Sequence, residues 1–455
     1  MKIPANLIEK YNVPVPRYTS YPPANFFDGE FVTGDYLKAV VDSNQKQPQN
    51  ISIYLHIPFC TQLCLYCGCN THITKDKDMM ERYMEALKKE IHSVNKLIDH
   101  DRKISQIHWG GGTPNVLPAS YIGEIMAIFA SEYQFIEKPE IAIECNPAHL
   151  DQEYIDQLVS FGFNRISLGV QDFQEKVLNA VHREVPTIPI PEMVKMIRQH
   201  RGVAVNLDFI YGLPFQTVES FKTTIEKAIQ VNADRLVTFS YAHVPWVKKA
   251  QKKLEEYGLP SADEKVEMFE EGWRLMTDAG YIPIGLDHYA KPDDNLAVAL
   301  KSKTLHRNFQ GYCTRETTGQ VYAFGVTGIS QLEDVYAQNV RTVKEYMELD
   351  EIRIVKGYAL TKTDKIIRQI INEIMCNQYL SWNQISEQFD IPVDELKSLL
   401  KFKEEKLDGF VADDLLSYNT EEIFITDLGR FFLRNVAAVF DVRLEGSLKK
   451  FSKSV

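Results

Sequence analysis

ISIYLHIPFCTQLCLYCGCN, residues 51–70, is the stretch from which this chain can be read. Its first seven residues, rich in β-branched and aromatic side chains, suit a β-strand. Cys60, Cys64 and Cys67 follow with C-x3-C-x2-C spacing, and Cys69 comes two residues later. Three thiolates this close together can each hold one iron of a cubane cluster, which leaves the fourth iron open for a reaction. A structural zinc site would need four closed ligands, commonly two separated cysteine pairs, and Cys69 follows Cys67 too closely for easy tetrahedral closure. A nucleophilic thiol would not need such neighbours. The expectation is a [4Fe–4S] cluster on Cys60, Cys64 and Cys67, with Cys69 beside it but not bound to iron.

Outward from this stretch, β-prone segments recur at 51–57, 105–109, 140–145, 164–170, 203–210 and 235–242, with helical patterns between them. The clearest helix is 79–98, where Met80, Met84, Leu87, Ile91, Val94 and Ile98 make one apolar stripe. Strand-then-helix units in series imply parallel strands joined by right-handed crossovers. Six units predict an α/β fold of the partial (β/α)6 barrel type, too few for a closed eightfold barrel. A Rossmann sheet is the competing topology, but Gly110, Gly111 and Gly112 run into Thr113, Pro114 and Asn115 with no G-x-G-x-x-G. Glu144 ends the third strand, Gln171 follows the fourth, Asp208 lies in the fifth and Ala242 follows the sixth. Barrel strands end on one face, so these residues are expected around one ligand.

The remaining organisation is read as an N-terminal extension (1–50), a catalytic domain (51–360) and a small, mostly helical, winged-helix-like domain (361–455). In the last, Ile366, Ile367, Ile370, Ile371 and Ile374 mark a helix after Thr363 and Asp364, which suit an N-cap. Helix–turn–helix, hairpin and final-helix patterns follow. The composition is globular, 44% hydrophobic and 25% charged. A formal net charge of −11, and −3 over 361–455, argue against a nucleic-acid or anionic-membrane partner. No run of about 18 apolar residues occurs, and the N-terminus lacks a signal-type core. Four of seven cysteines within ten residues read as metal binding in a reducing, cytoplasmic compartment.

The cysteine spacing after a strand matches the radical S-adenosylmethionine superfamily. In that superfamily the open iron binds methionine's amino and carboxylate groups, and an electron from the cluster splits the sulfonium to leave a 5′-deoxyadenosyl radical. Over nearly its full length the chain further resembles the oxygen-independent coproporphyrinogen III oxidase (coproporphyrinogen dehydrogenase) family. The resemblance is carried by PRYTSYP (16–22), YLHIPFC…C…CGCN (54–70), HWGGGTP (108–114), GFNRISLGVQDF (162–173), DFIYGLP (208–214), YAHVP (241–245) and LHRNFQGY (305–312). It implies two S-adenosylmethionine molecules, the first contacted by Tyr54, Gly111, Glu144 and Ile329. The second would be contacted by Tyr66, Gly112, Thr113, Gln171, Arg183, Asp208 and Ala242. Cys69, Tyr54 and Glu144 are the candidate catalytic residues.

The reaction implied is oxidative decarboxylation of two propionates of coproporphyrinogen III to vinyl groups, giving protoporphyrinogen IX. A monomer reduced by a flavodoxin- or ferredoxin-type donor would suffice. The substrate carries four carboxylates, for which Arg17, Arg183, His306 and Arg307 are candidate partners. Tyr18, Tyr21 and Phe309 could pack on the macrocycle or simply be core. Competing functions are a haem-binding or haem-transfer protein of the related family, a radical methylase acting on RNA or a small molecule, and a zinc-stapled structural protein. The PRYTSYP segment and the CGC ending favour the oxidase over the haem-transfer relatives.

Overall fold

A computed structural model describes residues 2–444 and 451–452; residues 445–450 and 453–455 of the expected C-terminal domain lie outside the described residues. The chain divides into two compact units, one of residues 28–280 with 316–358 and one of 1–27 with 281–315 and 359–455. Residues 28–50, read above as extension, thus belong with the sheet. Residues 281–315, read as catalytic domain, belong with the C-terminal residues.

In the first unit six strands lie side by side in chain order: β1 (Ile51–Ile57), β2 (Lys103–Gly111), β3 (Gln134–Cys145), β4 (Arg165–Gln171), β5 (Ala204–Tyr211) and β6 (Arg235–Ser240). All neighbouring pairs are parallel, as the strand–helix alternation predicts. The other edge of β1 carries a strand the sequence reading missed. Gln320–Phe324 pairs with β1 in parallel, with Tyr54 opposite Ala323. An antiparallel continuation through Ile329–Gln331 and Val335–Asn339 follows.

Residues two apart share a face of a strand. On one face Ile51, Ile53, Leu55 and Ile57 of β1 are buried, as are Ile107 and Trp109 of β2, Ile143 of β3, Ile166 and Leu168 of β4, and Val205 and Leu207 of β5. Crossover helices supply the matching apolar surface. In α1 (Lys77–Asn95) Met80, Met84, Leu87, Ile91 and Val94 are buried, the stripe expected from spacing, and Asp76 caps the helix by accepting from the Asp78 and Met79 amides.

The other face is polar. Glu140 of β3 accepts from Arg165 Nε of β4 at 3.0 Å and from Arg235 Nη2 of β6 at 3.2 Å. Strands β3 and β6 are three places apart, about 14 Å on a flat sheet. Side chains stand roughly perpendicular to a sheet rather than lying along it, so a direct ion pair across this distance fits a sheet curled toward this face, the curl of a partial barrel. Gln106 on β2 and Asn206 on β5 complete the layer, bonding Glu140 at 3.3 Å and Arg165 at 2.8 Å.

In the second unit, the helix Lys362–Asn372 buries Ile366, Ile367, Ile370 and Ile371. Its cap is Thr361, two residues before the expected position, because Thr361 and Asp364 form a reciprocal capping box. Helices Trp382–Phe389 and Val393–Leu399 and the hairpin Leu416–Tyr418/Glu422–Ile425 give the expected winged-helix order. Leu305 and Tyr312 pack in one apolar cluster with Cys376, and Asn377 bonds the Leu305 backbone at both its N–H and C=O. These contacts are why 281–315 belongs here; nothing in its composition announces them.

Burial alone would push the Glu140 carboxyl up, but Arg165 and Arg235 outweigh it and hold it down at about 2, below the ordinary 4.5. A depressed carboxyl contributes its stabilisation in full above pH 4.5 and loses it as pH falls from there toward 2. Replacing Glu140 with Gln should therefore cost about 3 kcal/mol at pH 7, leaving two buried guanidinium groups underpaired. Denaturant unfolding of both proteins should show that difference narrowing as the pH is taken below 4.5.

Candidate active site

Strand β1 ends against Pro58, and the cysteine loop begins at once. The loop is stitched at both ends: Phe59–Cys60 pairs with His72–Ile73, and the His72 amide bonds Pro58 O at 2.7 Å. The glycine turn after β2 anchors it from the side, through Gly112 N to Ile57 O at 2.7 Å and Thr113 N to Phe59 O at 2.9 Å. This contact explains two of the glycines. Gly111 has φ 115°, and a Cβ there would lie 2.7 Å from the His56 ring; a Cβ on Gly112 would lie 2.7 Å from Pro58 O. The close approach expected for a ligand is first of all the approach of β1's end to β2's end.

Over the strand ends lies a cavity of about 310 Å³ lined by Cys60, Cys64, Cys67 and Cys69. Tyr66, Gly111, Gly112, Thr113, Glu144, Gln171, Arg183 and Asp208 line it too, so residues spread over 149 positions of sequence meet in one place. Gln171 is held at φ 67° at the end of β4, while Asp208 accepts from Ser167 Oγ at 2.9 Å. Arg183 donates to Gly169 O at 2.7 Å and reaches Cys64 Sγ at 3.9 Å.

Three of the expected residues are not among those lining the cavity. Tyr54 stacks on His108 with ring centroids 6.0 Å apart, and His108 Nε2 lies 2.9 Å from Glu144 Oε1. Ala242 is joined to Tyr66 through Gln251, whose Nε2 donates to both carbonyls at 3.3 and 3.2 Å. Ile329 opens the strand that pairs Ile329 with Gln338. Of the candidate carboxylate partners, Arg183 lines the cavity, while Arg17, His306 and Arg307 belong to the other unit. Tyr18 and Tyr21 are core residues of that unit, Tyr18 donating to Asp441 at 3.0 Å. Burial, with Arg368 and Arg315 nearby, holds the His306 imidazole down at about 3. It is neutral at pH 7 and offers a hydrogen bond rather than a charge.

The thiols are not alike. Burial pushes Cys60 up to about 11, against the hydrogen bond from Thr113. Cys67 is drawn down to about 6, first by the Cys69 thiol that donates to it and also by Lys248 and Arg183. The Cys69 amide adds a bond to Cys67 Sγ at 3.4 Å.

Two groups escaped the sequence reading. His108 is raised despite burial, which opposes it, by its bond to Glu144. It stands two residues before Gly110 on the same face of β2, and that alternation was the available signal. Thr61, His149 and Glu184 form a second knot, with His149 Nε2 2.6 Å from Glu184 Oε2 and Thr61 Oγ1 donating to Glu184 at 2.9 Å. They come from three separate connections after the strands, His149 from the short 3-10 helix Pro147–His149, so no local pattern marks them.

Residues 54–228 match the model of the Radical SAM superfamily. The chain is 41% identical to the oxygen-independent coproporphyrinogen III oxidase of Synechocystis sp., across 99% of this chain and 98% of that one. It belongs to the oxygen-independent coproporphyrinogen III oxidase family. The namesake from Escherichia coli K12 is 38% identical across 99% and 98% of the two chains, and that from Helicobacter pylori J99 38% across 98% of each. A solved structure described as coproporphyrinogen III oxidase from Escherichia coli, a radical SAM enzyme, superposes with a TM-score of 0.89 at 37% identity, covering 97% of this chain and 99% of that one.

The residues fit the cluster that the oxidase family implies. Among the described residues no three His, Cys, Asp or Glu groups converge as a single metal ion would need. A cubane asks for something else, one thiolate at each of three separate corners, and Cys60, Cys64 and Cys67 stand around one shared cavity. Loading must release the thiol protons, which burial holds more firmly on Cys60 than on Cys67, where the Cys69 thiol and nearby cations favour the thiolate.

Gly111→Ala places a Cβ against His56 and forces an L residue to positive φ, so a loss of about 2 kcal/mol or more is expected. Gly34→Ala, where a Cβ meets nothing within 4 Å, should be nearly neutral. Thermal unfolding of the two variants beside the parent checks the contrast.

Proposed function

We propose that this protein carries out the oxygen-independent oxidative decarboxylation of coproporphyrinogen III, converting two propionates to vinyl groups and giving protoporphyrinogen IX. The observation that carries this reading is the meeting of Cys60, Cys64 and Cys67 with Glu144, Arg183 and Asp208 around one cavity, in a chain that matches its oxidase relatives from end to end. The cited relatives all bear the oxidase name, which gives the haem-transfer alternative no support.

When bound, the [4Fe–4S] cluster on the three cysteines and S-adenosylmethionine supply an electron and a primary carbon radical able to take hydrogen from an inert propionate C–H. The chain's own groups hold the reactants and keep their charges in order. Glu144 is fixed by His108 and ready to accept from the amino or hydroxyl groups of S-adenosylmethionine. Its proposed companions at the first molecule are Tyr54, Gly111 and Ile329. A second molecule is assigned to Tyr66, Gly112, Thr113, Gln171, Arg183, Asp208 and Ala242, six of which line the cavity beside the cysteines. Arg183 reaches within 3.9 Å of Cys64 Sγ, and a guanidinium there favours the thiolate forms and can take a carboxylate. In an acidic protein the carboxylates of the substrate must be met by such local groups. Cys69, which donates to Cys67, is read as tuning that thiol without holding iron.

The enzyme is further read as a cytoplasmic monomer, reduced by a flavodoxin- or ferredoxin-type protein and acting on neither nucleic acid nor membrane. Among the described residues no helix is long and apolar enough to cross a membrane.

Anaerobic reconstitution with iron and sulfide, followed by coproporphyrinogen III, S-adenosylmethionine and a low-potential reductant, tests the assignment. Protoporphyrinogen IX and 5′-deoxyadenosine should both form. 5′-Deoxyadenosine without protoporphyrinogen would reject the substrate and spare the radical chemistry. Replacing Cys60, Cys64 and Cys67 together with alanine should abolish the brown chromophore, and its survival would reject the cluster.

A further inference from the structure

After β6 the segment Trp246–Lys253, WVKKAQKK, carries four lysines and no acidic residue in a chain of net charge −11. Trp246 and Val247 are 73% and 65% exposed, more than any other large hydrophobic side chain among the described residues. Lys249, Lys252 and Lys253 are exposed beside them. Glu255 and Glu256 follow, and Glu255 lies 2.9 Å from His243 Nε2. The segment is fastened to the cysteine loop. Lys248 Nζ donates to Cys69 O at 2.9 Å, Gln251 Nε2 to Tyr66 O at 3.2 Å, and Leu254 is buried in one apolar cluster with Leu65.

An exposed tryptophan followed within seven residues by four lysines has the makeup of a protein-docking spot, an aromatic anchor with charges that steer and orient. The rest of an acidic surface repels an acidic partner, so a local positive patch decides where such a partner lands. We propose that Trp246, Val247, Lys249, Lys252 and Lys253 form the docking surface for a small acidic flavodoxin-type protein that reduces the cluster held by the adjoining loop. The donor is oxidised by one electron and the cluster reduced by one, with no bond formed or broken. The proposal rests on the reading of Cys60, Cys64 and Cys67 as cluster ligands.

The test uses full-length reconstituted protein and flavodoxin hydroquinone. The triple variant Lys249→Glu/Lys252→Glu/Lys253→Glu should lower the second-order rate constant of cluster reduction about tenfold or more at low salt, the gap closing at high salt. The Kd for labelled oxidised flavodoxin, read by fluorescence anisotropy, should rise in parallel. Trp246→Ala, which changes no charge, should raise the Kd about tenfold, mainly through faster dissociation and with little salt dependence. Dithionite should reduce both variants, and drive their turnover, at the parent rate. Unchanged flavodoxin rates and Kd in both variants overturn the proposal. So does loss of dithionite-driven turnover with flavodoxin affinity intact, which would assign the patch to substrate, or loss of self-association alone, which would assign it to a second copy of the chain. A parent protein that takes up no iron and shows no brown chromophore fails at an earlier step, and removes the cluster reading itself.

Discussion

In a parallel strand residues two apart share a face, and in β1 to β6 that rule sends isoleucine, leucine and valine toward the helices and polar side chains toward one another. Parallel sheets are usually apolar on both faces, because helices cover both. Here one face keeps Gln106, Glu140, Arg165, Asn206 and Arg235, and the ion pair from β3 to β6 shows that this face is turned inward on itself. Near the strands' far ends the same alternation brings Tyr54, His108, Glu144, Ser167 and Asp208 to the inner side. The lower layer closes the curl by charge pairing, while the upper layer holds polar groups ready for a polar ligand.

The cysteine loop depends on that frame. A loop of irregular backbone has no helix or sheet ladder to satisfy its amides. This one borrows partners from the glycine turn after β2, from the His72–Ile73 segment and from Val181, whose carbonyl takes the Leu65 amide at 2.9 Å. The thiols then sit at the end of β1, beside the carboxylates that end or lie in β3 and β5. The unequal proton affinities of Cys60 and Cys67 follow from position: both are partly desolvated, but one has a hydroxyl beside it while the other lies near a thiol donor and two cations.

Much of this was legible in the sequence because it depends on short-range spacing. The strand–helix alternation, the stripe of α1, the cysteine triplet and the winged-helix order of 361–444 all repeat within a turn or a few turns of chain. What escaped notice depends on distant partners. Gln320–Phe324 is a five-residue run whose strand identity comes from pairing with β1, some 270 positions earlier. Residues 281–315 join the C-terminal unit through Cys376 and Asn377, contacts that no composition shift announces. Thr61, His149 and Glu184 meet from three separate connections after the strands.

The sequence by itself determined the chemistry available, because three thiols within eight residues can bind iron before any fold exists. It also determined the order and direction of the strands, since short strands separated by helices can pair in parallel only through crossovers. The tertiary structure alone decided which residues surround the thiols and in what state. The curl of the sheet brings Glu144, Gln171 and Asp208 to the cysteine loop. Burial and neighbouring charges act through space, so a proton's affinity for Cys60, Cys67 or His108 is a property of the folded arrangement.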